Sequence, residues 1–389
     1  MRNFDFFLPT RFFFGSAKLS KIGELVKSLG RKVALVSDKQ LVDLGVTHRV
    51  RAYLEEKKID AVEFTEVTPN PLSTVIDNVA KTMKGERIDV VIGVGGGSSL
   101  DFAKGLAVAL SHEEQIWSYV NVRGKSLLRP SAKTLPVVAV ATTSGTGSEV
   151  TPFAILTNPH TSEKCAIVGE HIFPRIAIVD PELTLTLPSR LTASTGIDAL
   201  CHAIESYLDV CAHGVTEIAA LEAMRLISTS LPTAVLEKNN LEARTKMAWA
   251  ATLGGIAISN GNVTLIHAMG HPISGRFDIG HGEAMAMVLP GVMKHSWELN
   301  LDKFARIAEA MDVVRGRLSL REMAKRSVTA VERLLGEIGL KLRLSDYGVM
   351  ESDLNDLAED TTGYMVGCLE AHPRTFSLDE VREIYREIF

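Results

Sequence analysis

The sequence predicts an α/β N-terminal domain with a parallel sheet, followed by an all-helical C-terminal domain. Three observations carry this. Short apolar runs alternate with helical patterns through the first half. Those runs stop after about Leu187, where long helical patterns take over. At 389 residues the chain is too long for one compact core and comfortable for two.

The elements follow in order. Residues 32–37 form an apolar run that stops at polar Asp38, as a buried parallel strand does. A helical pattern occupies residues 42–57. A second run, 89–94, ends in glycines and is followed by a helical pattern over 100–111. A third, 135–140, ends in a Thr/Ser/Gly-rich loop, and a fourth, Ile176–Val179, is closed by Asp180-Pro181. Strands separated by helices make βαβ units, hence a Rossmann-like parallel sheet. Helical periodicity then covers residues 191–208, 215–231, 243–259, 301–311 and 319–338. The expected boundary lies near Pro188, giving domains of residues 1–187 and 188–389.

Composition narrows the function classes. With 46% hydrophobic and 23% charged residues the chain is an ordinary globular protein. A net charge of -5 makes nucleic acid a poor partner. Cys165, Cys201, Cys211 and Cys368 are scattered without a C-x-x-C pair. That argues against a disulfide framework, rules out a cysteine-based zinc ribbon and suits a reducing, cytoplasmic setting. The start, Met1-Arg2-Asn3-Phe4-Asp5, leads into neither a long apolar core nor a cleavage site, so no secretory leader is expected. Residues 247–275 carry no Asp, Glu, Lys or Arg, but Asn260, Gly261, Asn262 and Thr264 interrupt them. Two buried helices joined by a turn are expected there, and no membrane span. Residues 1–187 hold 22 Lys and Arg against 20 Asp and Glu, whereas residues 188–389 hold 20 against 27. The first half therefore has no acidic excess to repel a phosphate-bearing cofactor.

Three loops at strand ends suit a nucleotide. Gly93-Val94-Gly95-Gly96-Gly97-Ser98-Ser99 joins a predicted strand to a predicted helix, where backbone N–H groups and the helix dipole favour phosphate. Ser98 stands where the last glycine of G-x-G-x-x-G would be, and no Gly-Lys-Ser/Thr follows, so neither standard motif applies. A tight strand–helix turn is the plainer alternative. Asp38 has the place of a ribose-binding carboxylate, and equally that of a helix N-cap. The loop Thr142-Thr143-Ser144-Gly145-Thr146-Gly147-Ser148-Glu149 adds hydroxyls at a third strand end.

The second half carries a metal-like constellation. Asp198 and His202 stand at i and i+4, as do His267 and His271, and His281 follows in Gly280-His281-Gly282. On a helix, each such pair shares one face. Buried imidazoles need partners, and a metal satisfies several together; a polar network is the alternative. Asp198, His202, His267 and one more histidine form the proposed set. Such Asp/His ligands suit Fe(II), Zn(II) or Mn(II) without choosing among them. The absence of His-Glu-x-x-His disfavours a zinc protease.

These features together resemble the iron-containing (group III) alcohol dehydrogenase family. The resemblance runs from Phe12-Phe13-Phe14-Gly15 through Thr68-Pro69-Asn70-Pro71, the glycine loop and Thr142-Thr143-Ser144-Gly145-Thr146-Gly147-Ser148-Glu149. It continues through Gly196-Ile197-Asp198-Ala199-Leu200-Cys201-His202-Ala203, His267-x-x-x-His271-Pro272 and His281-Gly282, covering essentially the whole chain. It implies a dehydroquinate synthase-like architecture, with a nucleotide domain, a helical metal domain and an active site in the cleft between them. By motif position it implies Asp198, His202, His267 and His281 as ligands of iron(II), with zinc(II) as the alternative. It implies His271 as a catalytic neighbour beside the nicotinamide. It implies Gly96, Gly97 and Ser98 at the pyrophosphate of NAD, Asp38 at the adenosine ribose, and Asn70, Thr142, Thr143, Thr146, Phe153, Lys164 and Leu183 lining the cofactor. Two departures bear on the choice of alcohol. Many members have an Asn soon after the last His-Gly, where this chain reads Glu283-Ala284-Met285-Ala286. Phe153 stands where the lactaldehyde reductase branch has a more polar pattern.

The function expected is metal-dependent, NAD(H)-linked interconversion of a small alcohol and its aldehyde or ketone, in a homodimer or higher homo-oligomer. Two alternatives use the same architecture. A dehydroquinate synthase-like lyase should crowd Lys and Arg around the metal, yet residues 247–275 have none. A hydroxyacid–oxoacid transhydrogenase would turn over without added cofactor. A non-catalytic binding protein is a third reading, disfavoured by the full set of ligand types.

Overall fold

A computed structural model describes residues 3–389; Met1 and Arg2, where the segment read for a leader begins, lie outside it. Among the described residues, nine strands form two sheets: β1 (Arg11–Phe14), β2 (Lys32–Val36), β3 (Asp60–Phe64), β4 (Val90–Gly95), β5 (Val120–Asn121), β6 (Val137–Ala141), β7 (Phe153–Thr157), β8 (Lys164–Val168) and β9 (Ile176–Val179). Six make a wholly parallel sheet in the order β1-β9-β6-β4-β2-β3. The helices of this part are α1 (Ile22–Lys27), α2 (Lys39–Asp43), α3 (Val46–Glu55), α4 (Ser73–Met83) and α5 (Gly97–Ser111).

The four strands foreseen from apolar runs are the centre of this sheet. Buried on both faces, they have no need of alternation. Val33, Leu35, Ile92, Val94, Val138, Val140 and Ile178 pack with Leu19, Ile22, Val26, Val50 and Leu54 on one side. On the other, Leu100 of α5 meets Ala139 and Ala141. Each such buried aliphatic side chain stabilises by about 1.5–3 kcal/mol. The outer strands β1 and β3 are partly exposed; β3 is mixed in polarity, and β1 is a short run of three phenylalanines, Phe12 to Phe14, after Arg11.

A small antiparallel sheet, β5-β8-β7, was not foreseen. Its strands are only two to five residues long, and β7 and β8 carry apolar runs, Phe153–Leu156 and Cys165–Val168, that the sequence reading did not assign; runs this short do not by themselves identify a strand.

The remainder is helical: α6 (Ser189–Leu208), α7 (Gly214–Leu236), α8 (Leu241–Asn260), α9 (Leu265–Phe277), α10 (His281–Ser296), α11 (Leu301–Ala310), α12 (Leu320–Glu337), α13 (Leu354–Tyr364), α14 (Val366–Ala371) and α15 (Leu378–Glu387). The uncharged segment is α8, a short turn and α9. No described helix is long and apolar enough to cross a membrane. Helix α6 is buried around its whole circumference from Gly196 to Leu208, the signature of a central helix. Ile197, Leu200 and Ile204 share one core with Leu231, Met247, Met269, Ile273, Met285 and Leu289.

Two compact units result. One comprises Leu8–Thr143 and Gly147–Leu185; the other comprises the described residues up to Phe7, Ser144–Thr146 and Thr186–Phe389. Thr146 thus belongs with the helices and not with the strand it follows. Gly145 explains this: a Cβ there would stand 2.8 Å from Thr195 Cβ of α6, an approach only glycine permits.

Candidate metal centre and cofactor loops

Asp38, the glycine loop and the Thr142–Glu149 loop sit at the ends of the parallel strands β2, β4 and β6. Proceeding from β2, the chain goes outward to β3 and then returns to β4 on the other side of β2. The crevice at such a reversal is where open α/β sheets take their ligands. Asp38 follows β2 and the glycine loop follows β4, so the two flank that point.

The glycine loop is a cradle. Gly95 has φ +154°, and a Cβ there would lie 2.4 Å from Ser99 Oγ. A Cβ on Gly96 would meet Thr143 at 3.1 Å. The first helical backbone bond of α5 runs from Leu100 N to Gly96 O at 3.1 Å. The N–H groups of Gly97, Ser98 and Ser99 therefore stand at the helix start without intrahelical acceptors, with the positive end of the dipole behind them. That arrangement suits a pyrophosphate.

Asp38 performs one of its two expected roles visibly. Its Oδ1 accepts from Leu41 N at 3.0 Å, capping α2. Its Oδ2 points at the loop, 3.5 Å from where a Gly95 Cβ would lie. One oxygen caps while the other faces the cradle, so the ribose and N-cap readings are compatible.

The remaining cofactor-loop residues are distributed as follows. Thr142 is buried and donates its N–H to Gly95 O at 3.0 Å, tying the ends of β6 and β4 together. Lys164 of β8 donates to Asn70 Oδ1 at 2.9 Å, and Asn70 is held in the left-handed region with φ +51°. Leu183 is buried in the sheet core beyond β9. Phe153 begins β7. Its carbonyl accepts from Lys104 Nζ at 2.7 Å.

Lys104 was not singled out from sequence, yet it sets where that segment lies. Its ammonium, wholly buried in α5, also donates to Ser148 Oγ at 2.8 Å and Thr151 O at 3.0 Å. Ser148 Oγ in turn donates to Asp101 Oδ1 at 2.6 Å. Burial pushes Lys104 down to about 8 even with Asp101 and Glu149 nearby. The helix that starts at the glycine loop is thereby fastened to β7 and its approach.

The metal-like residues converge in the helical unit. Asp198 and His202 come from α6, His267 and His271 from α9, and His281 opens α10. Asp198 Oδ1 lies 3.8 Å from His202 Nε2, 3.6 Å from His267 Nε2 and 3.5 Å from His281 Nε2. One ligand atom each from Asp198, His267 and His281 lies within 4.8 Å of the others. These separations exceed hydrogen bonds. For Asp198, His267 and His281 they come near the roughly 3.4 Å between neighbouring donors around one tetrahedral ion with bonds of about 2.1 Å, while His202 approaches Asp198 but lies outside that mutually close group.

The surroundings sharpen this. His267 Nε2 is buried without a hydrogen-bond partner among the described residues, a costly state unless something binds there. The His202 ring stacks on His267 at 4.7 Å. Burial, with the charge of His267 nearby, pushes His202 below the usual histidine range and favours the neutral, ligating form. For His267 burial works downward too, but the Glu205 and Asp198 carboxylates outweigh it and raise it to about 9. His271 is buried one turn beyond His267. Its ring centroid is 5.2 Å from His281 and 5.9 Å from His267, beside the cluster.

One residue of this site escaped the sequence reading. Glu205, completely buried on α6, faces His267 Nδ1 with Oε2. Its Oε1 accepts from Thr264 N at 2.7 Å, Ile266 N at 2.9 Å and His267 N at 3.2 Å. Burial raises a carboxyl, but the His267 charge and these donors prevail and hold Glu205 below its ordinary range. The signal was available: Glu205 stands seven residues after Asp198 and three after His202, on the same helix face.

Known proteins resemble this chain along nearly its whole length. The iron-containing alcohol dehydrogenase family pattern matches residues 9–181, and the C-terminal pattern of the Fe-containing alcohol dehydrogenase family matches residues 192–389. The 1,3-propanediol dehydrogenase of Citrobacter freundii is 40% identical, covering 100% of this chain and 99% of its own. The NAD-dependent methanol dehydrogenase of Bacillus methanolicus is 33% identical, covering 98% and 99% respectively. The solved structure of an archaeal halo-thermophilic Red Sea brine pool alcohol dehydrogenase superposes with a TM-score of 0.96 at 36% identity over 100% of both chains. The chain belongs to the iron-containing alcohol dehydrogenase family and is an alcohol dehydrogenase.

Proposed function

We propose that the enzyme interconverts a small primary alcohol or diol and its aldehyde, with one iron(II) ion held by Asp198, His202, His267 and His281. The observation that carries this is the placement of three imidazole Nε2 atoms 3.5–3.8 Å from one Asp198 oxygen. Zinc(II) fits the same donors. The names of the propanediol and methanol dehydrogenases point to the substrate class. When bound, the metal supplies Lewis-acid polarisation of the substrate oxygen, and the nicotinamide accepts or supplies the hydride.

The chain's residues do the rest. Asp198 places one negative charge amid three imidazoles. Burial of the cluster lowers the local dielectric and strengthens every charge interaction there. His271, beside the ligands, carries the alcohol proton towards solvent. Gly96, Gly97 and Ser98 hold the pyrophosphate through backbone N–H groups. Asp38 hydrogen-bonds the adenosine ribose and repels a 2′-phosphate, selecting NAD over NADP. Thr142, Thr143, Thr146, Asn70, Phe153, Lys164 and Leu183 complete the cofactor's surroundings. On this reading residues 1–187 bind the dinucleotide and residues 188–389 the metal. The enzyme works in the cytoplasm as a homodimer or higher homo-oligomer.

The test is anaerobic incubation of purified protein with Fe(II), NADH and a panel of aldehydes and ketones, following nicotinamide absorbance. Consumption of NADH with short aldehydes is expected. No consumption with any aldehyde or ketone would refute the reading and favour a transhydrogenase or lyase.

A further inference from the structure

We infer that Glu205 is a positioning residue that fixes the tautomer of His267, so that only Nε2 of that ring is offered to the metal. This rests on the metal reading above and goes beyond it by assigning a role to a residue outside the ligand set.

An imidazole has two nitrogens, and a neutral ring carries its proton on one of them. Which one is decided by the hydrogen bond the other side makes. His267 Nδ1 faces Glu205 Oε2, and a carboxylate only accepts, so the proton stays on Nδ1. The lone pair is thereby left on Nε2, the atom 3.6 Å from Asp198 Oδ1.

The carboxylate is itself held. Its other oxygen accepts from Thr264 N, Ile266 N and His267 N, and from Thr264 Oγ1 at 3.1 Å. These are N–H groups of the first turn of α9, where Thr264 supplies no side-chain cap of its own. Glu205 therefore substitutes for the missing local cap, from a different helix. One side chain fixes the backbone entry of α9 and the ring that α9 carries. Asp198, His202 and Glu205 lie on one face of α6, so ligands and support share a rigid element.

The isosteric amide exposes the logic. Glutamine at position 205 can keep its oxygen on the four donors only by turning its NH2 to His267 Nδ1. That forces Nδ1 to accept and moves the ring proton to Nε2, where the metal binds. Flipped the other way, the NH2 faces four donors. Neither orientation satisfies both sides, although shape and volume are unchanged.

The experiment uses Co(II) as a spectroscopic probe, added to metal-free full-length wild type, Glu205→Gln and Glu205→Asp, with Asp198→Ala as the ligand-loss control. Affinity is read by chelator competition, site geometry from the visible spectrum, and folding from circular dichroism. Glu205→Gln is expected to stay folded, to bind Co(II) 10–100-fold more weakly and to show an altered spectrum. Glu205→Asp keeps an accepting carboxylate and should recover most of the affinity. A role confined to capping predicts the reverse: glutamine keeps the cap oxygen, so affinity and spectrum would match wild type. That result, with wild type binding and Asp198→Ala not, would overturn the inference and leave the metal reading intact. Failure of wild type to bind Co(II) would overturn both.

A second measurement does not depend on how a Glu205 variant folds. In the zinc-loaded wild type with 15N-labelled histidine, the His267 ring should show a protonated Nδ1 and a coordinated Nε2. The opposite assignment would also overturn the inference.

Discussion

Replacing Gly282 by alanine should weaken the metal site without touching a ligand. A Cβ at Gly282 would lie 2.2 Å from Ser194 O and 2.5 Å from Ser194 C. Both are backbone atoms in the second turn of α6, so no side chain can rotate aside. Reaching the 3.0 Å floor of real Cβ contacts requires α10 to retreat by about 0.8 Å. His281, the residue before, moves with it. Metal–ligand distances tolerate only about 0.2 Å, so His281 would leave the coordination sphere or strain it. The expected loss of metal affinity is 10–100-fold, the range seen when support for a ligand is removed. Overpacking costs about 1–3 kcal/mol of stability besides. Gly280→Ala is the matched control on the other side of His281: there a Cβ would meet only the Glu283 side chain, at 3.5 Å, with φ -54°. Zinc competition against a chelator, with thermal unfolding of the metal-free proteins, measures both effects. Equal zinc affinity in wild type, Gly280→Ala and Gly282→Ala would refute the reasoning that the α6–α10 approach sets the position of His281.

Three further predictions concern other parts of the molecule. Asp38→Ser keeps an N-cap for α2 but removes the charge that faces the glycine loop; KM for NAD should rise and turnover with NADP should appear, both read from initial rates, and unchanged cofactor preference would count against the ribose role. His271→Ala should lower kcat about 100-fold or more while bound metal, measured by elemental analysis, stays at the wild-type level; loss of metal would show that His271 supports the ligands instead. His372, buried between Thr264 and Ser296, is pushed down to about 4, chiefly by burial. Between about pH 6.5 and 4 the unfolded chain takes a proton that the folded chain refuses, so stability falls as pH drops through that window, by about 3 kcal/mol in all. Urea unfolding across this range should show a shallower decline for His372→Gln than for wild type, and parallel curves would contradict the assignment.

What was legible in the sequence divides along physical lines. Strands β2, β4, β6 and β9 announce themselves because both faces are buried and their residues are uniformly apolar. β7 and β8 carry four-residue apolar runs as well, but runs that short do not separate a strand from other buried segments, and these two lie in a small separate sheet. The ligand types were legible because helical spacing places Asp198 with His202 and His267 with His271 before any tertiary contact is known. Their convergence was not, since it depends on how α6, α9 and α10 pack. Glu205 was passed over for a related reason. Its partners are backbone N–H groups 59 to 62 residues away, and a glutamate on a helix looks the same whether it meets solvent or a helix start. The place of Thr146 also depends on packing, through the contact of Gly145 with α6.

The most direct test of the central claim is an anaerobic titration of metal-free protein with Fe(II), monitoring NADH oxidation by a short aldehyde after each addition. The account predicts no activity before addition, a linear rise, and a break at one equivalent per chain, with Asp198→Ala flat throughout. Full activity in the metal-free protein, or none once one equivalent is bound, would contradict it.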